Sequence, residues 1–217
     1  MGDLWEKSTR EAACAMSALV SGGSVALLPA FSPDAALRAI ERHRVTFCGA
    51  VPTMYVLMLG HESFAERDLS SVRLCVAGGS NVEPALAESI RRGFPGAPIY
   101  NLYGLSESSG ACVLSRPDDD LETVSRTLGV VIGDFEARVT GPDGEVLPPG
   151  ETGELQIRGD CVADGYRLVR SAPAFRPGVK RTLPRSGAGK AGSPSGDPAS
   201  ARLRPGGSAA RCTGAGR

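Results

Sequence analysis

Aromatic side chains are scarce in this 217-residue sequence, at 5%, and histidine occurs only twice, as His43 and His61. None of the six cysteines falls in a C-x-x-C pair. A structural zinc site needs four clustered nitrogen or sulfur ligands, so the sequence offers none. No run approaches the roughly 18–20 apolar residues that cross a bilayer. The first residues, with Asp3, Glu6 and Glu11, lack the basic-then-apolar order of a secretion signal. Most cysteines sit inside apolar runs, where a free thiol behaves as a small hydrophobe. That usage fits a reducing compartment and predicts a soluble, cytoplasmic protein.

What is present divides unevenly. Hydrophobic residues make up 41% of the chain, enough for a core. The formal net charge is zero, but Met1–Tyr166 holds 13 Lys and Arg against 23 Asp and Glu, while Arg167–Arg217 holds 11 against one. Two stretches so different do not read as one folding unit. The second is dominated by Gly, Pro, Ala, Ser and Arg, and it carries no period of 2 or 3.6. Its composition cannot bury enough apolar surface to offset chain entropy, which predicts disorder. Its Gly187–Gly192 stretch matches G-x-G-x-x-G formally, yet follows no strand and opens no helix. Its basic charge is read as a solvated run rather than a nucleic-acid surface.

Between residues 24 and 101, short apolar runs alternate with amphipathic stretches. Ser24–Leu28 predicts a buried strand. Ser32-Pro33-Asp34 is a helix start, combining a hydroxyl N-cap, Pro at the first helical position and an acid near the positive end of the dipole. Val45–Val51 predicts a strand, Pro52 opens a helix, Val72–Ala77 predicts a strand, and Pro84 begins another helix. Pro98–Leu102 is the last strand of the series. The order β-α-β-α-β-α-β implies an α/β fold with a parallel sheet covered by helices on both faces. From about residue 121 the texture changes to strand-rich segments, Val130–Thr140 and Gly153–Arg158, separated by turns at Gly141–Gly144 and Pro148–Gly150. The expected organisation is an α/β unit over 1–120, a small antiparallel β region over 121–166, and the disordered tail over 167–217.

Ligands of parallel sheets gather at the carboxyl ends of the strands. Two segments fall there. Gly78-Gly79-Ser80 lets the backbone approach a flat ligand closely. Asn101 to Gly110 (NLYGLSESSG) offers an aromatic ring, a glycine turn, hydroxyls and one carboxylate. A ring stacks on a base, a hydroxyl bonds a phosphate or carboxylate oxygen, and a carboxylate ligates Mg2+.

The segments GAVPTMY (49–55), CVAGGS (75–80), NLYGLSES (101–108), TLG (127–129), PDGEVLPPGETGELQIRG (142–159) and ADGY (163–166) follow one another as in adenylate-forming enzymes. The chain resembles that superfamily, most closely its fatty acyl-CoA synthetase branch. The resemblance implies a carboxylate–CoA ligase that uses ATP, Mg2+ and CoA and passes through an acyl-adenylate. It implies that Gly78, Gly79 and Ser80 line an adenine pocket, that Tyr103 packs on the adenine ring with Asn101, Leu102 and Gly104 close by, and that Ser106 reaches the acyl carboxylate or α-phosphate. It further implies that Glu107 binds the Mg2+ of ATP, that Val51, Pro52 and Thr53 lie near the acyl group, and that Glu154 serves structure. The partners would be a small carboxylic acid and ATP.

The family's phosphate loop ending in Pro-Lys-Gly, its T-G-D aspartate for the ribose and its C-terminal catalytic lysine have no counterpart in these 217 residues. The match stops at Tyr166, and the tail reads as an out-of-frame continuation. The expectation is a partial acyl-CoA synthetase, inactive as an isolated chain. The alternative is a non-catalytic remnant that binds a nucleotide or a partner chain.

Overall fold

The computed structural model describes residues 15–165. The basic tail and Tyr166 lie outside them. A single helical turn, Ser17–Val20, comes first. Helix α1, Pro33–His43, starts as its sequence dictates: Ser32 Oγ accepts from Ala35 N at 3.2 Å, and Pro33 occupies the first turn. Arg44 ends it in a left-handed conformation, φ 50°. Strand β1 (Phe47–Ala50) leads to helix α2 (Pro52–Leu59), β2 (Leu74–Gly78) to helix α3 (Pro84–Gly93), and β3 (Ile99–Leu105) to β4 (Gly110–Leu114). Helix α4 (Leu121–Arg126) and β5 (Val130–Val131) follow, then β6 (Glu136–Thr140) and β7 (Glu154–Arg158).

Five strands form one sheet in the order β1-β2-β3-β4-β5. The first two pairings are parallel and the last two antiparallel. Strands β6 and β7 make a separate antiparallel pair, with Arg158 and Glu136 in an ion pair across it. The α/β sheet, its flanking helices and the small antiparallel region are as the sequence predicts.

Three features differ. Ser24–Leu28 forms no strand, and Leu27 is 80% exposed. A five-residue apolar run becomes a buried strand only where a neighbour completes its ladder and both faces are covered. Among the described residues neither condition is met. Second, among the described residues the core helices cover one face rather than two. Cys48 and Ala50 of β1, Cys75 and Ala77 of β2, and Ile99 of β3 share one core with Leu37, Tyr55, Met58, Ile90, Phe94 and Val124 from the four helices and their flanks. Right-handed crossovers that advance steadily from β1 to β2 to β3 place α2 and α3 on the same side, since only a reversal of direction moves a helix to the opposite face. Third, α4 and β5 belong to the first layer, so the passage between the two sheets falls at 132–135, downstream of residue 120.

The core is closed by a buried tyrosine. Tyr55 donates its hydroxyl to Cys48 O at 2.6 Å and lies edge-on to Phe94 with centroids 6.3 Å apart. A second cluster, Cys112, Val113, Leu128 and Ile157, joins β4 to β7.

Candidate nucleotide site at the ends of β2 and β3

The register of β2 and β3 brings the two glycine- and hydroxyl-bearing segments together. Ala77 pairs with Asn101 and Gly78 with Leu102, in parallel. Strand β2 ends at Gly78, while β3 continues through Tyr103, Gly104 and Leu105, paired only with β4. The turn at Gly79 and Ser80 therefore lies alongside the overhanging end of β3. The sequence predicts a short strand over Pro98–Leu102; β3 runs on to Leu105 and turns back in a hairpin whose tip is a 3-10 turn, Ser106–Ser108. Strand β4 returns antiparallel, with a register shift between Tyr103 and Gly104.

Close backbone approach explains the glycines. A Cβ on Gly78 would stand 2.8 Å from Leu102 O, well inside contact distance. Gly79 has φ +90°, a conformation that favours glycine, and a Cβ there would meet Val51 Cγ1 at 3.2 Å. Val51, the residue before α2, thus adjoins the same turn, and Pro52 and Thr53 follow it as the first residues of the helix. Gly104 has a packing reason of its own: a Cβ would run into Gly110 O and stand 2.6 Å from Gly110 C.

The polar side chains divide into two groups. Ser80 and Ser106 are exposed at the sheet edge. Glu107 is buried, at 8% exposure, and Tyr103 is half-buried against the second core cluster. Asn101 serves the scaffold: its Nδ2 donates to Thr127 O at 2.9 Å and Val124 O at 3.3 Å, tying the end of α4 beneath β3. Sequence reasoning missed Ser108 and Ser109. Ser108 Oγ accepts from Leu105 N at 3.1 Å and donates within the turn toward Leu105 O or Gly110 O. Their only signal was position, directly after the glutamate. Glu154 opens β7 opposite Thr140.

The arrangement offers a flat backbone shelf, an aromatic ring, two exposed hydroxyls and a carboxylate at one sheet edge. The set suits a purine nucleotide with a divalent cation: glycines admit a planar base, and a hard cation takes oxygen ligands. A cleft of about 330 Å³ between α2 and α3, lined by Val56, Leu59, Gly60, Leu86, Ser89 and Arg92, lacks a carboxylate and contains none of these residues.

A sequence model of the AMP-binding enzyme family matches residues 10–167. The chain is 38% identical over 163 residues to feruloyl-CoA synthase of an Amycolatopsis species, covering 74% of this chain and 32% of that protein. It is 38% identical over 147 residues to the mitochondrial medium-chain acyl-CoA ligase ACSF2 of Danio rerio, covering 66% of this chain and 24% of that protein. Among solved structures it resembles the O-succinylbenzoate coenzyme A synthetase MenE of Bacillus subtilis in complex with ATP and magnesium ion. There the TM-score is 0.60 at 29% identity, over 70% of this chain and 31% of that one. The chain thus spans a third or less of the length of these relatives.

Proposed function

Because the chain belongs to the AMP-binding enzyme family, we propose that it is the nucleotide-holding segment of an ATP-dependent acid–CoA ligase. The reaction has two displacements. A carboxylate oxygen attacks the α-phosphorus of ATP and pyrophosphate leaves; the thiol sulfur of CoA then attacks the acyl carbon and AMP leaves. Feruloyl-CoA synthase and medium-chain acyl-CoA ligase among the relatives support a carboxylic acid as the acyl donor.

The observation that supports the reading is the pairing of Gly78 with Leu102, which leaves the glycine turn beside the end of β3 that leads into the Ser106–Ser108 turn. In this reading Gly78, Gly79 and Ser80 form the shelf for adenine and Tyr103 packs on its ring. Gly104 lets the hairpin close beneath that ring, and Leu102 and Asn101 hold β3 in register. Ser106, exposed at the hairpin tip, donates to the carboxylate or α-phosphate oxygen. Mg2+ bound with ATP would neutralise the phosphate charge that repels an incoming carboxylate. Glu107 is the residue that would hold it. Val51 and Thr53 would flank the acyl group next to Gly79.

The phosphate loop, the ribose aspartate and the catalytic lysine of the family are not among these 217 residues. The isolated chain should therefore bind AMP and Mg·ATP without catalysing ATP–pyrophosphate exchange. Equilibrium dialysis with labelled nucleotide and an exchange assay with aromatic and medium-chain acids test this. Tyr103→Ala should lose AMP binding, and Glu107→Gln should lose only the Mg2+-dependent part. Exchange above background would show that the missing segments are dispensable. AMP binding that is indifferent to Tyr103→Ala would remove the site.

A further inference from the structure

Two hydrogen bonds, one in each direction, join the Glu107 turn to the segment after β7. Ala163 N donates to Glu107 O at 2.7 Å. Ser109 Oγ donates to Cys161 O at 3.1 Å across 52 residues of sequence. The segment after β7 is itself anchored. Val162 N bonds Gly159 O at 3.1 Å, Asp160 N bonds Asp134 Oδ2 at 3.1 Å, and Val162 packs on the second core cluster. Ser109 holds its position with φ 56°, a left-handed conformation that a non-glycine residue adopts only when its surroundings impose it. The ADGY segment at 163–166 thus begins at the residue whose amide meets the glutamate turn.

We propose that the Gly159–Ala163 loop is a clamp on the Glu107 turn, and that Ser109 is a positioning residue that aims Glu107 through it. The proposal rests on reading Glu107 as the carboxylate for the nucleotide's metal. A carboxylate binds a cation well only when its backbone is held in place, because each ligand ordered at binding costs affinity. The clamp does that ordering in advance, and it couples the small β6–β7 sheet to the nucleotide edge of the main sheet.

The test uses the full chain with Ser109→Ala and Ser109→Gly. Both remove the hydroxyl. Alanine retains the left-handed cost, whereas glycine relieves it, so the two should melt at different temperatures, glycine higher. Hydrogen exchange should quicken in both variants, by about threefold to tenfold, at residues 106–110 and at Ala163 together. Mn2+·ATP affinity, read by water-proton relaxation, should fall by a similar factor in both, irrespective of melting order. Unchanged exchange overturns the clamp. An affinity loss that follows melting temperature, present in alanine and absent in glycine, overturns the positioning role. If the unmutated chain does not bind Mn2+·ATP while the two segments still exchange together, the reading of Glu107 fails and the clamp stands.

Discussion

Replacing Gly104 by alanine tests the hairpin on which the nucleotide edge is built. The added Cβ would stand 2.6 Å from Gly110 C and 3.0 Å from Ala111 Cα, and would collide with Gly110 O. All three atoms are backbone of β4, so no side chain can swing aside. Ordinary carbon contacts begin near about 3.5 Å, so the two strands must part by about 1 Å. Overpacking of this kind costs about 1–3 kcal/mol, and each ladder bond lost at the hairpin end adds ~1 kcal/mol. A total of about 3 kcal/mol corresponds to a fall in Tm of about 6–12 °C for a chain of this size. Gly96→Ala is the control. Gly96, unlike Gly104, has a positive φ, +86°, and nothing lies within 4 Å of its Cβ position. It carries only the conformational cost, ~1 kcal/mol, or about 2–4 °C. Thermal unfolding followed by far-UV circular dichroism reads both. Gly104→Ala melting at or above Gly96→Ala would refute the steric argument and the hairpin geometry with it.

Asn101→Ala should destabilise by about 2–3 kcal/mol in urea titration, since it strands the carbonyls of Val124 and Thr127 that its buried amide serves; a loss under about 0.5 kcal/mol would contradict that role. Acid should weaken the fold through two surface carboxylates. The Asp68 amide, then the Arg67 guanidinium, lowers the Glu41 pKa, and the hydroxyl and amide of Ser70 lower that of Asp68. A folded pKa below the unfolded one means that stability is present above the unfolded value and disappears as pH falls through the folded one. The urea midpoint should hold from pH 7 to about 5 and drop below about 4.5, less steeply in Glu41→Gln. Parallel decline in both proteins would exclude Glu41 as a contributor.

Local rules made the α/β scaffold readable. Ser32-Pro33, Pro52 and Pro84 each mark a helix start because proline's fixed φ and missing N–H suit only the first turn, and all three helices begin there. The strands β1 and β2 were legible as short apolar runs between turn signals, although β1 buries Cys48 and Ala50 on one face and leaves Phe47 exposed on the other. Ser24–Leu28 carries the same local signal and forms no strand, so the signal reports compatibility with a strand, while pairing decides. The single helical face follows from strand order, which no local pattern encodes. The site divides in the same way. Gly79 and Glu107 were legible by residue type, a φ-tolerant residue and a lone carboxylate after a strand. Gly104 was legible as a glycine, but its packing reason, the backbone of Gly110 and Ala111, appears only once β4 is seen to return. Ser109 is the limiting case. Its hydroxyl is ordinary in sequence, and its partner at Cys161 lies 52 residues away. Chemistry carried by one residue and its neighbours is therefore written in the local sequence, whereas the aim of that chemistry is set by contacts between segments that only the fold brings together.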